Sequence, residues 1–132
     1  MKRRAHHVCI QTNEYEASVA FYTLLGFTVE QESPAFHTRA YNSWLALHDF
    51  YIELQTPKDQ EVLRASNTNQ LGLAHFCIWV DELYALVETL QHAGYRFKEK
   101  HGGAIYEVEG GKLAKVFAPE GTLVELRDTQ YL

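Results

Sequence analysis

Hydrophobic positions along this chain follow two periods by turns, and the whole succession occurs twice. Around residues 6–11, His7, Cys9 and Gln11 alternate with Val8 and Ile10, which is the two-residue period of a strand. From Tyr15 the period lengthens. Tyr15, Ser18, Val19, Tyr22 and Leu25 recur at helical spacing, with Asn13 as the expected cap, Glu16 three residues on and Gly26 at the close. Strand patterns return at 27–31, after which Ser33-Pro34 reads as a turn, and again at 39–47 and 50–55 on either side of His48-Asp49. The polar stretch 57–72 reads as a linker, with a short helical turn expected near 61–65. The order then repeats. A strand at 75–80 leads to Asp81 as cap, and Leu83, Leu86, Val87 and Leu90 mark a helical stripe that ends at Gly94. Strands are expected at 95–100, 104–109, 113–117 and 122–127, with turns at Gly110-Gly111 and Pro119-Glu120-Gly121.

The second half copies the first residue for residue. His7-Val8-Cys9-Ile10 returns as His75-Phe76-Cys77-Ile78, and the pairs His7/His75, Cys9/Cys77 and Gly26/Gly94 all lie 68 residues apart. The expected fold is therefore α+β: two βαβββ modules, 5–56 and 73–128, joined by the linker 57–72 into one domain over 1–132. Each module alone is too small for a secure core. Joining the strand sets into one curved, cup-shaped mixed sheet, with the helices on its convex face, would bury the apolar set and leave the other set on the concave face.

Composition narrows what that face can do. With 46% hydrophobic and 13% aromatic residues in 132, the chain can bury a core, and 12 Lys and Arg against 17 Asp and Glu give a net charge of −5. That balance, with no basic cluster, excludes a nucleic-acid partner as an expectation. No apolar run is long enough to span a bilayer, and no apolar segment follows the basic Met1–Arg4 start, so neither membrane association nor a signal peptide is expected. Two cysteines at matched repeat positions form no disulfide or metal spacing, which fits a reducing, cytoplasmic setting.

Alternation directs His7 on the first strand and His75 on the fifth to the open face. It does the same for Glu53, between Ile52 and Leu54, and for Glu125, between Val124 and Leu126. The two glutamates lie 72 residues apart, so the second module carries a few extra residues before its last strand. A carboxylate inside an aliphatic strand is costly unless compensated. Two of them, matched with two matched histidines, form a His₂Glu₂ set for one divalent ion, and Ni²⁺, Zn²⁺, Co²⁺, Mn²⁺ and Fe²⁺ all accept such donors. His6 competes with His7 through a one-residue register slip, but the repeat aligns His7 with His75. Arg39, Lys112, Lys115 and Arg127 are the cations that could meet an anionic substrate; surface solubility is the plainer role for all but Arg127, which alternation places on Glu125's face. Cys9 and Cys77 read as small neighbours of the site. Trp44, Trp79, Tyr51 and Tyr106 could line a pocket, although core packing is the plainer role for aromatic residues.

At this point the chain resembles the vicinal oxygen chelate superfamily of glyoxalases, bleomycin-resistance proteins and extradiol dioxygenases. The carriers are His7-Val8-Cys9-Ile10, Phe21-Tyr22-Thr23-Leu24-Leu25-Gly26-Phe27, Tyr51-Ile52-Glu53-Leu54, His75-Phe76-Cys77-Ile78 and the ending Ala118-Pro119-Glu120-Gly121-Thr122-Leu123-Val124-Glu125-Leu126. The resemblance implies paired modules around one metal, a small-molecule substrate and a homodimer. Glutamate at position 53 tilts it to the glyoxalase I (lactoylglutathione lyase) branch, whose ligands match His7, Glu53, His75 and Glu125. The implied activity is a lyase or isomerase that chelates two vicinal oxygens, with Glu125 or Glu53 moving a proton through an enediolate. A metal-dependent dioxygenase or thiol transferase of the same superfamily, or a drug-sequestering protein, is the alternative. Gln11 stands where glutathione-dependent members carry arginine, which argues against glutathione as co-substrate.

Overall fold

A computed structural model describes residues 1–67 and 69–131. Thr68, inside the 57–72 linker, and Leu132, the last residue of the 1–132 domain, lie outside the described residues. Two compact units, 1–65 and 66–132, divide the chain at a point inside that linker. Among the described residues no helix is long and apolar enough to cross a membrane.

The first unit runs β1 (His7–Gln11), α1 (Tyr15–Leu24), β2 (Thr28–Phe36), β3 (Arg39–Leu47) and β4 (Phe50–Gln55). Its sheet has the order β1-β4-β3-β2, with β1 parallel to β4 and the other neighbours antiparallel. Register places Leu45 beside Ile52 and Ser43 beside Leu54, and all four are buried. Helix α1 covers this side, burying Ser18, Phe21 and Tyr22, while Tyr15 stacks on Tyr41 at 4.1 Å and bonds Ser43. Asn13 does not cap α1. The cap position is Glu14 with no side-chain bond of its own. Instead the buried Thr12 hydroxyl accepts the Glu14 N–H at 2.9 Å and pairs with Ser18 Oγ at 2.8 Å. Strand β2 runs past the expected turn at Ser33-Pro34, because at the sheet edge a residue without an N–H is tolerated.

The second unit runs β5 (Phe76–Trp79), α2 (Leu83–His92), β6 (Tyr106–Val108), β7 (Gly111–Phe117) and β8 (Leu123–Arg127), with sheet order β5-β8-β7-β6. The architecture is thus α+β, two βαβββ modules each with a four-stranded mixed sheet. Leu83, Val87 and Leu90 of α2 are buried, as are Phe76, Ile78, Ala114, Val116, Val124 and Leu126 on the strands. Asp81 is no cap; Glu82 holds that position without a side-chain bond. Residues 95–100 form no strand. They follow β7 through Lys98 N–H to Lys115 O and Phe117 N–H to Arg96 O, with single bridges at Phe97 and Lys100. The helical turn expected at 61–65 does not form.

A candidate metal-binding pair in each unit

Side chains that share a face with Glu53 follow from register. Cys9 and Trp44 are its partners across β1 and β3, so His7, two residues before Cys9, is its diagonal neighbour. His7 Nε2 lies 3.8 Å from Glu53 Oε1. The second unit reproduces the arrangement: Cys77 is the partner of Glu125, His75 stands two residues earlier, and its Nε2 is 3.3 Å from Glu125 Oε1. Trp44 and Lys115, the other partners of Glu53 and Glu125, are 71 residues apart. Set against the 68 and 72 of the repeat, that spacing puts three extra residues between Gly94 and β7 and one between β7 and β8.

These distances fit the donor set. Two ligand atoms bound to one ion at about 2.1 Å are about 3.0 Å apart at a right angle and about 3.4 Å apart at the tetrahedral angle. The His75–Glu125 pair is inside that range, and the His7–Glu53 pair is a few tenths of an ångström wider. Among the described residues, no group of three or more His, Cys, Asp or Glu side chains is gathered to hold an ion. Each unit presents a pair.

What the second oxygen of each glutamate meets differs. Glu53 Oε2 accepts Asn42 Nδ2 at 3.2 Å, and Asn42 Oδ1 accepts Gln55 Nε2 at 2.9 Å, a neutral amide chain. Glu125 Oε2 is 3.2 Å from Arg127 Nε, and Glu125 is itself buried. That separation is ion-pair range, but the N–H is not aimed at the oxygen, so the buried Nε has no hydrogen-bond acceptor. His6 sits behind His7, the Nδ1 atoms 2.9 Å apart, and its ring stacks on Tyr51. It is His7, not His6, whose Nε2 faces the carboxylate. A partner on Nδ1 fixes which nitrogen of His7 is left to bind.

Both cysteines lie beside these carboxylates. Burial first, then the charge of Glu53, pushes the Cys9 thiol up to about 11, although part of its surface is exposed. Burial and a hydrogen bond to Glu125 push Cys77 up to about 12. Tyr106 is also raised, by burial and then by Glu125. Of the other expected cations, Arg39 reaches Gln11 Oε1 at 3.4 Å and Thr56 O at 2.7 Å, while Lys112 Nζ bonds Tyr84 OH on the helix side of its sheet. A cavity of about 570 Å³ in the second unit opens beside Trp79, with Glu107, Lys112 and Asp128 in its walls. It contains none of the four ligand candidates; Lys112 Nζ bonds Tyr84, and Asp128 Oδ1 accepts the Lys112 N–H. Asn42 and Gln55 were not expected at the site, and His6, weighed against His7 as a ligand, sits beside it. Alternation along β3 and β4 carried the signal for the two amides.

Residues 6–112 match the family model described as Glyoxalase/Bleomycin resistance protein/Dioxygenase superfamily. The uncharacterised protein YaeR of Escherichia coli (strain K12) is 37% identical over 95 residues, covering 67% of this chain and 70% of that protein. The fold is shared with the trypanothione-dependent glyoxalase I of Leishmania major, at 20% identity and TM-score 0.74 over 96% of this chain and 87% of that one. It is shared equally with FosX, a genomically encoded fosfomycin resistance protein of Listeria monocytogenes solved with Mn(II) and sulfate, at 13% identity and TM-score 0.74 over 98% and 95% of the two chains. With the family model spanning most of its length, the chain belongs to the glyoxalase/bleomycin resistance protein/dioxygenase superfamily.

Proposed function

We propose that the protein is a metal-dependent lyase or isomerase of the glyoxalase I type, in which His7, Glu53, His75 and Glu125 hold one divalent ion. One observation supports this most directly. The same histidine–glutamate contact recurs in equivalent register in both units, at 3.8 Å and 3.3 Å. The ion, one of Ni²⁺, Zn²⁺, Co²⁺, Mn²⁺ or Fe²⁺, would supply Lewis-acid stabilisation of charge developing on two vicinal substrate oxygens. The chain's own residues do the rest. His7 and His75 bind through Nε2. Glu125 is buried between His75 and Arg127, whereas Glu53 is held by a neutral amide and, at a longer distance, by His7. Either can accept a proton from the carbon beside a bound carbonyl, being a carboxylate within reach. A small-molecule substrate and a homodimer belong to this reading.

Elemental analysis of the purified protein, reloading with each of the five ions, and an assay with the methylglyoxal–glutathione hemithioacetal test it. Because Gln11 replaces the usual arginine, metal-dependent exchange of the C–H proton of small α-hydroxy ketones in D₂O is measured alongside. Activity in either assay that falls by roughly 10²-fold or more in His75→Ala and Glu125→Gln is expected. Turnover that requires O₂ would instead assign an oxygenase.

A further inference from the structure

The open face of the second sheet differs from that of the first in charge. Glu125 lies between two cations on its own face: Arg127, two residues on along β8, and Lys115, its partner across on β7. Lys100 adds a third, with Nζ 5.5 Å from the ring centre of Tyr106, a β6 residue paired with Leu113, which is itself the partner of Arg127. Equivalent positions in the first sheet are neutral, with Gln55 two residues beyond Glu53 and Trp44 across from it. This local excess of positive charge stands against a net charge of −5 for the chain. Arg127 is also incompletely satisfied. Its Nε is buried without a hydrogen-bond acceptor, and its ion pair is with Glu125. The side chain keeps 26% of its surface exposed, so the group is reachable. Asp128, next along the chain, is turned to other partners, its Oδ1 accepting the Lys112 N–H at 2.8 Å and the Thr129 hydroxyl at 3.2 Å.

We propose that this face binds an anionic group of the substrate, a carboxylate or phosphate, and that Arg127 and Lys115 set a preference for vicinal-oxygen compounds carrying a second negative charge. The assignment rests on the metal reading above and narrows its substrate class. A guanidinium with a free planar edge matches a carboxylate or phosphate in two parallel hydrogen bonds, and Lys115 adds a point charge beside it.

Malate and lactate separate this from simple chelation. Both offer the same α-hydroxycarboxylate pair to the ion, and malate adds one carboxylate a carbon further on. Calorimetric titration of the Zn²⁺-loaded full chain at low salt should give malate of one hand roughly tenfold tighter binding than lactate. The gap should narrow as salt is raised. In Arg127→Gln and in Lys115→Gln the malate-to-lactate ratio should fall to within about threefold of unity, and Arg127→Lys, which keeps the charge but not the paired donors, should retain only part of it. Lys115→Gln, which removes no contact to Glu125, decides the matter if Arg127→Gln does not fold. Equal binding of the two acids, or a ratio unchanged in both variants, overturns the proposal while leaving the metal reading intact. A protein that binds neither ion nor acid overturns both.

Discussion

Glu53 and Glu125 occupy equivalent points in their sheets, yet their second oxygens meet an amide and a guanidinium respectively. The repeat made the glutamates and histidines legible, because a recurring polar residue between core-facing neighbours has few structural excuses. It could not reveal Asn42 or Gln55, since these come together only through the register of β3 on β4 and have no repeat counterpart. The cysteines carry a test at this scale. Their thiols are raised by burial and by the adjacent carboxylates to about 11 and about 12, so both remain protonated at neutral pH. Iodoacetamide should label the native metal-free protein slowly at pH 7.5, with the rate climbing only as pH approaches those values. Glu53→Gln should hasten labelling of Cys9, whose proton that carboxylate helps hold. Because the folded thiols keep their protons longer than the unfolded ones, stability from this source is intact below 9.0 and is lost as pH rises through about 11 to 12. Both thiols are exposed, so fast stoichiometric labelling at pH 7.5 would show that the neighbouring carboxylates do not hold them protonated.

Elements were legible where the period was clean and obscure where strands lie at an edge. Both helices, β3 and β4 fall where hydrophobic spacing puts them. Strand β2 is longer than expected because Glu30, Gln31, Glu32 and Ser33 are exposed or nearly so, and an edge strand wet on both sides shows no alternation. The β6–β7 hairpin shows a subtler shift. Val108 pairs with Gly111, so the two-residue turn is Glu109-Gly110, not Gly110-Gly111. Both turn residues have positive φ, 51° and 79°, as the hairpin turn of matching twist requires. Glutamate fits that conformation poorly, so Glu109→Asn should stabilise the protein by about 0.5–1 kcal/mol in urea unfolding. Gly111 is needed for another reason: Thr129 Oγ1 and Cβ lie where its Cβ would be. Gly111→Ala should cost about 1–3 kcal/mol by the same measurement. A neutral result there would mean that Thr129 moves aside freely.

At the scale of the molecule, the question is whether two half-sites serve one ion or one each. The duplicated pattern was readable from end to end, and the family match covers residues 6–112 of it. Pairing is the part a repeat cannot specify, because each copy encodes only its own strand register. Stoichiometry answers it. A histidine and a glutamate alone bind a divalent ion weakly, since most of its coordination stays with water, whereas four protein donors bind it far more tightly. If the proposed His₂Glu₂ set is correct, titration of Ni²⁺ or Zn²⁺ into metal-free protein should end at one ion per chain and raise the thermal midpoint with ion concentration. His7→Ala and His75→Ala should weaken binding to a similar extent despite lying in different units. The double variant, left with two carboxylates, should bind as weakly as a lone half-site and well below either single variant. An end point of two ions per chain, with each substitution abolishing only one of them, would show instead that each unit keeps an ion of its own and would remove the chemistry that depends on four shared ligands.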